Sequence, residues 1–185
     1  MWVFAYGSLM HDGWEEQFDC SRKVPATLQN YRRTFNKLST SRWGTKTDPG
    51  VTLNLMESQG EHCNGFLFDI PDLKKADAIE YLRRREKDFD LVDLSVTDDK
   101  AGSFVKAVVP IYRKPALLTD KSPTERAAMA RKATGNSGNG VEYVTKVAAL
   151  LKEVGIDDKV VTEFLRAVQT TPVPADPGAN VSRLT

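Results

Sequence analysis

Two short segments carry residue types from which catalysis can be built: Tyr6-Gly7-Ser8 near the N-terminus, and Glu86 within Tyr81-Leu82-Arg83-Arg84-Arg85-Glu86-Lys87. The apolar run Trp2 to Ala5 reads as a buried strand that stops abruptly at Gly-Ser. A strand ending this way exposes backbone N–H groups without ladder partners. Such groups can grip a carboxylate, a phosphate or a developing oxyanion. The same residues also suit an ordinary strand-to-loop turn, because Gly admits positive φ and Ser bonds its own backbone. The motif alone leaves both readings open.

A charge run such as Arg83 to Lys87 is usually a solvated helix end. Helical geometry sets Glu86 apart, since it lies four residues after Leu82 and seven after Ile79, along the apolar stripe. Arg84, Arg85 and Lys87 point elsewhere. Desolvation and the negative end of the helix dipole both disfavour the Glu86 anion and raise its pKa, while neighbouring arginines oppose the shift. A general base needs that poise. Arg32, Arg33 and Arg42 suit recognition of a carboxylate, and equally suit solvated strand positions. Tyr143 continues an apolar stripe with Val147, Leu150, Leu151 and Val154, which is the ordinary place of a core aromatic. His11 and His62 have no partner at a meaningful spacing.

The elements that must position these residues are strands first and helices last. Val24 to Phe35 is strand-like but interrupted by Pro25. Val51 to Met56 alternates at period two, Gly65 to Ile70 is a separate apolar run, Leu91 to Val96 alternates again, and Phe104 to Tyr112 is β-rich. The turn-rich stretch Ser39 to Gly50 is expected to be a mobile loop beside a site. One helix, Leu73 to Lys87, is embedded among the strands. Ser122-Pro123-Thr124-Glu125 opens a helix ending at Gly135, and Asn139 with Glu142 opens another that stops at Gly155. Asp157 is expected to cap a last helix reaching Gln169. The pattern predicts an α+β fold with a helical C-terminal third. Residues 1–169 are expected to form a single domain, and the Pro-rich remainder, 170–185, a flexible tail.

Composition narrows the functional classes. The chain has 185 residues, 41% hydrophobic and 28% charged, with a net charge of +1. That balance gives no field for recruiting nucleic acid or an anionic membrane. No apolar stretch approaches a membrane span. Polar and acidic residues (His11, Asp12, Glu15, Glu16) follow the first strand at once, as in mature structure rather than a signal peptide. Cys20 and Cys63 lack metal-site spacing and read as reduced thiols, so no metal is expected and a cytoplasmic location is.

The order of these motifs resembles the γ-glutamylcyclotransferases, and within them the ChaC-like, glutathione-specific branch. The resemblance rests on Trp2-Val3-Phe4-Ala5-Tyr6-Gly7-Ser8-Leu9, Asn30 to Phe35, Asn64 to Phe68, Tyr81 to Lys87, Gly135 to Tyr143 and Gly155 to Asp158. It covers roughly residues 1 to 168. It implies a mixed β-barrel or sheet, no cofactor, and a small-molecule γ-glutamyl substrate. In that chemistry the substrate's α-amine attacks its own γ-carbonyl and closes 5-oxoproline, and glutathione would release cysteinylglycine. The implied site is Glu86 as general acid and base, with Val3, Phe4, Ala5, Tyr6, Gly7, Ser8, Leu9 and Tyr143 binding substrate. Met10 stands where the branch usually carries Ile-Trp, and Ala5 replaces a common glycine. Both departures bear on substrate preference, which leaves other γ-glutamyl amino acids and γ-glutamylamines as alternative donors. A non-catalytic module binding a small acid on the same scaffold is the other alternative.

Overall fold

The computed structural model describes residues 1–11, 13–86, 88–114 and 117–170. Its centre is β1 (Trp2–Ala5), whose last three residues are fully buried. β1 pairs antiparallel with β3 (Gly50–Asp69) and parallel with β5 (Ser103–Ile111). With β2 (Arg22–Ser39) and β4 (Asp90–Asp98) the strands close a barrel in the order β1-β3-β2-β4-β5. Val3, Phe4, Leu28, Phe35, Leu55, Leu67, Val96 and Val109 are buried; the neighbours Val3 and Phe4 point to opposite faces, so β1 is covered on both sides. Closure leaves β1 flanked on both sides, so its only exit is the bend at Tyr6.

β2 runs without interruption through Pro25. The Pro25 carbonyl accepts from the Asp99 N–H at the end of the β2–β4 ladder, and β4 pairs only from Ala26 onward. The missing proline N–H therefore falls where that ladder has run out. The two runs expected as separate strands, Val51 to Met56 and Gly65 to Ile70, join in the single strand β3. Its middle is polar and exposed, so apolar periodicity lapses there; the pairing with β2 shifts register at the same place, between Gln29 opposite His62 and Tyr31 opposite Glu57, and resumes on either side.

α1 (Lys75–Arg85), preceded by a 3-10 turn at Asp72–Lys74, is the embedded helix. α2 (Pro123–Lys132) and α3 (Gly140–Glu153) both begin with full capping boxes, Ser122 with Glu125 and Asn139 with Glu142. α2 ends at Lys132, earlier than expected, because Thr134–Gly135 (β6) pairs with Gly138–Asn139 (β7) in a small hairpin. The cap of α4 (Lys159–Thr170) is Asp158 rather than Asp157: its Oδ1 accepts from the Val161 N–H at 3.1 Å. α4 stacks Phe164 on Phe35 with ring centroids 4.3 Å apart, fixing the helical third to β2. Thr170, first residue of the expected tail, closes α4; residues 171–185 lie outside the described part.

Candidate active site

The bend that follows β1 is held from three sides. The Tyr6 hydroxyl donates to the Pro110 carbonyl at 2.9 Å, and the Tyr6 carbonyl accepts from Arg33 Nε at 2.9 Å. Gly7 then starts a 3-10 turn, Ser8–Met10, whose first closing bond runs from the Met10 N–H to the Gly7 carbonyl. The Ser8 and Leu9 N–H groups precede that bond and have no partner within the turn. Trp14 Nε1 donates to the Leu9 carbonyl at 2.9 Å, while the Trp14 ring stacks on Tyr81 of α1. One tryptophan thus docks the embedded helix beside the bend.

That docking brings the end of α1 to Ser8. Arg85 donates from Nη2 to Ser8 Oγ (3.3 Å), from Nη1 to the Tyr81 hydroxyl (3.0 Å) and from Nε to Glu86 Oε1 (3.2 Å). Glu86 is the C-cap of α1, its N–H still bonded to the Leu82 carbonyl, and its side chain is 17% exposed. Burial pushes its carboxyl above the ordinary value, and Arg85 pulls against that shift. The inward turn expected from the Leu82–Ile79 stripe is present: Leu82 is fully buried, and Glu86 faces the same cavity as the bend.

A third wall comes from the loop between β2 and β3, which is tied down at several points. Asn136 and Ser137 N–H groups of the β6–β7 hairpin donate to the Ser41 and Arg42 carbonyls at 2.9 and 2.8 Å. Lys132 pairs with Asp48 at 2.6 Å, and the Trp43 N–H bonds Ser39 Oγ. A Cβ on Gly135 would lie 2.4 Å from the Gly44 nitrogen and 2.6 Å from two loop carbonyl oxygens, so only glycine permits this contact. The expectation of a mobile loop is corrected here: its backbone bonds are taken up by a hairpin ninety-odd residues away. Immediately after the hairpin, Asn139 caps α3 and the helix presents Tyr143. The Tyr143 hydroxyl accepts from the Leu53 N–H at 2.9 Å, and its ring lies 5.0 Å from that of Trp43. Burial holds the phenol well above its usual pKa, so the hydroxyl keeps its proton while its oxygen accepts from Leu53.

The cavity enclosed by these walls has a volume of about 170 Å³. Among the sequence-derived candidates, Tyr6, Gly7, Ser8, Leu9, Glu86 and Tyr143 line it together. Val3, Phe4 and Ala5 do not: they are fully buried in β1 and support the bend from within the barrel. Of the three arginines considered for a carboxylate, only Arg42 reaches the cavity. Arg33 is 1% exposed and forms a buried ion pair with Asp158 at 2.9 Å. Sequence reasoning missed Lys37, Trp43, Thr52, Arg85 and Phe89 as lining residues. A tryptophan in a turn-rich loop was the one available signal, because an apolar ring there needs a packing partner. Lining charges are Lys37, Arg42 and Arg85 against Glu86, a balance that favours an anionic ligand. Among the described residues no cluster of three or more His, Cys, Asp or Glu can hold a metal ion, and no helix is long and apolar enough to cross a membrane.

The family model described as "ChaC-like protein" matches residues 1–171. The chain belongs to the ChaC-like family. Among curated relatives it is 32% identical to γ-glutamylcyclotransferase 2-3 of Arabidopsis thaliana, over 91% of this chain and 88% of that one. It is 27% identical to the glutathione-specific γ-glutamylcyclotransferase of Escherichia coli, over 91% and 73% of the two chains. Its fold matches the crystal structure of a γ-glutamyl cyclotransferase specific to glutathione from yeast, with a TM-score of 0.77 and 21% identity over 91% and 95% of the chains. The barrel, embedded helix and helical third of this ChaC-like chain are therefore those of a γ-glutamylcyclotransferase fold.

Proposed function

We propose that this chain cyclises the γ-glutamyl group of glutathione to 5-oxoproline and releases cysteinylglycine. One observation carries the reading: a single carboxyl, Glu86, with a raised pKa, shares a cavity with amide groups of the Gly7–Leu9 bend. The substrate's α-amine is an ammonium at neutral pH and must lose a proton before it can attack. Glu86 takes that proton. The amine nitrogen then bonds to the γ-carbonyl carbon, whose oxygen gains negative charge as the C=O bond opens. Bend amides and the Tyr143 hydroxyl are the available donors for that oxygen or for the α-carboxylate. Collapse of the adduct restores the carbonyl and breaks the bond to the cysteine nitrogen, which receives the proton from Glu86. The ring nitrogen gives up its second ammonium proton, leaving the lactam N–H of 5-oxoproline and an ammonium on the released cysteinylglycine. Both reacting groups belong to one molecule, so holding the curled conformer supplies much of the acceleration. The donor is a small molecule, and the free thiols of Cys20 and Cys63 support a cytoplasmic setting.

The test is to incubate purified protein with glutathione, γ-glutamyl-alanine and γ-glutamyl-lysine, and to measure 5-oxoproline together with the released fragment. Highest kcat/KM on glutathione is expected. Absence of 5-oxoproline from all three overturns the reading, and faster turnover of another donor relocates it within the same chemistry.

A further inference from the structure

Lys37 is a cation of the cavity wall that the reaction scheme leaves unused, and unlike Arg42, which is also unused but solvent-exposed, it is half-buried. Its placement is built rather than incidental. The register between β2 and β3 shifts between Phe35, opposite Leu53, and Lys37, opposite Thr52, so Asn36 is the extra residue of a bulge. Bulges re-aim the side chains that follow them. This one is pinned by a buried polar network. Asn54 Nδ2 donates to Asn36 Oδ1 (3.3 Å) and to the Tyr112 carbonyl (3.1 Å), Asn54 Oδ1 accepts from the Tyr112 N–H (2.9 Å), and the Asn36 carbonyl accepts from the Leu118 N–H (2.8 Å). The same network fixes the backbone of Tyr112, whose ring, with that of Phe89, flanks the lysine. Lys37 Nζ lies 5.2 Å from the Tyr112 centroid and 5.3 Å from that of Phe89.

Among the described residues the Lys37 ammonium makes no hydrogen bond and no ion pair. Arg85, by contrast, is committed to Glu86, Ser8 and Tyr81. This half-buried cation, held between two rings in a ligand cavity, feels the Asp88 and Glu86 carboxylates but bonds to neither, so no direct anionic partner offsets its desolvation. Burial lowers its pKa accordingly. A γ-glutamyl peptide brings two carboxylates. The α-carboxylate shares a carbon with the reacting amine, so it is confined to the Glu86–Arg85–Ser8 end of the cavity. The carboxylate of the departing amino acid or peptide is the one left to be matched.

We infer that Lys37 binds the carboxylate of the leaving group and thereby selects γ-glutamyl amino acids and peptides over γ-glutamylamines. The inference rests on the cyclisation reading above and adds a specificity determinant to it. γ-Glutamylamines lack that carboxylate and would leave the ammonium unpaired, a penalty on the wrong donor.

The experiment compares glutathione with its C-terminal glycinamide, which differs only in that charge. Wild-type protein is expected to favour the acid by about ten- to a hundredfold in kcat/KM, the worth of one charge-assisted hydrogen bond. Lys37→Met should bring the ratio close to one, mainly through a higher KM for glutathione, and Lys37→Arg should keep it. Thermal unfolding checks that Lys37→Met is folded, with Lys37→Gln read in its place if it is not. Equal loss on both donors would assign Lys37 to the α-carboxylate or to Glu86 and overturn the inference. So would a wild-type enzyme that treats acid and amide alike. No 5-oxoproline from either donor is a distinct outcome: it removes the cyclisation reading itself, and this inference with it.

Discussion

Replacing Glu86 by Gln separates its chemical role from its structural one. Glutamine is isosteric, and its side-chain carbonyl can still accept from Arg85 Nε, now 3.2 Å from Oε1. Arg85 also keeps Ser8 and Tyr81, so the end of α1 stays docked. What disappears is the ability to take a proton. A positioned acid–base group contributes about 10²- to 10⁴-fold, which at about 1.4 kcal/mol per tenfold is roughly 3–5 kcal/mol of barrier. The kcat for 5-oxoproline formation should fall by that factor with KM little changed. Stability should move the other way. Because burial raises the Glu86 pKa, the folded protein holds that proton to higher pH than the unfolded chain. Wild-type stability is therefore lost as pH rises from the ordinary glutamate value near 4.5 through the folded value. Glu86→Gln escapes this loss, so at pH 7 it should be at least as stable as wild type, and near pH 4 the advantage should vanish. Turnover followed by chromatography, with urea unfolding at both pH values, reads out both halves. A variant retaining more than about a tenth of wild-type kcat would remove Glu86 from the proton transfer. Lower stability at pH 7 would refute the burial argument.

Three further outcomes follow from the same contacts. Tyr143→Phe removes the acceptor of the Leu53 N–H and the hydroxyl proposed as a donor to the substrate, so kcat/KM should fall about tenfold and stability by about 1 kcal/mol; lost stability with unchanged kinetics would make the tyrosine a strand support only. Arg33→Met strands the partly buried Asp158 and frees the Tyr6 carbonyl, and should lower the unfolding free energy by about 3–5 kcal/mol in urea titration. Gly135→Ala forces the hairpin off the β2–β3 loop, so limited proteolysis should cut within 40–49 and activity should drop. Gly102→Ala is its control: φ is +67° with nothing near the new Cβ, so it should cost about 1 kcal/mol of stability without affecting turnover.

Much of the site was legible because its signals are local. The stop from Ala5 into Gly7-Ser8, the Leu82–Glu86 spacing and the two capping boxes each express backbone geometry over a few residues. Such preferences survive whatever the rest of the chain does. Resemblance carried Tyr143 into the cavity; its own stripe described a core aromatic equally well. Its ring does pack against Phe35, so the core reading and the lining position hold together.

Tertiary structure decided the rest, and charge is where the two levels part. Arg32 and Arg33 are indistinguishable as neighbours on a strand. Yet Arg33 is sealed inside because Asp158, 125 residues later, and the Tyr6 and Asn64 carbonyls complete its hydrogen bonds. Lys37 faces the cavity only because an Asn36 bulge, anchored by Asn54 and Tyr112, breaks the alternation that the strand pattern assumes. The 40–49 loop reads as free until a hairpin formed near residue 136 bonds its carbonyls. Periodicity reports which face a residue takes along its own element. Which buried charge is satisfied, and which is left for a ligand, depends on partners that only the closed barrel brings within reach.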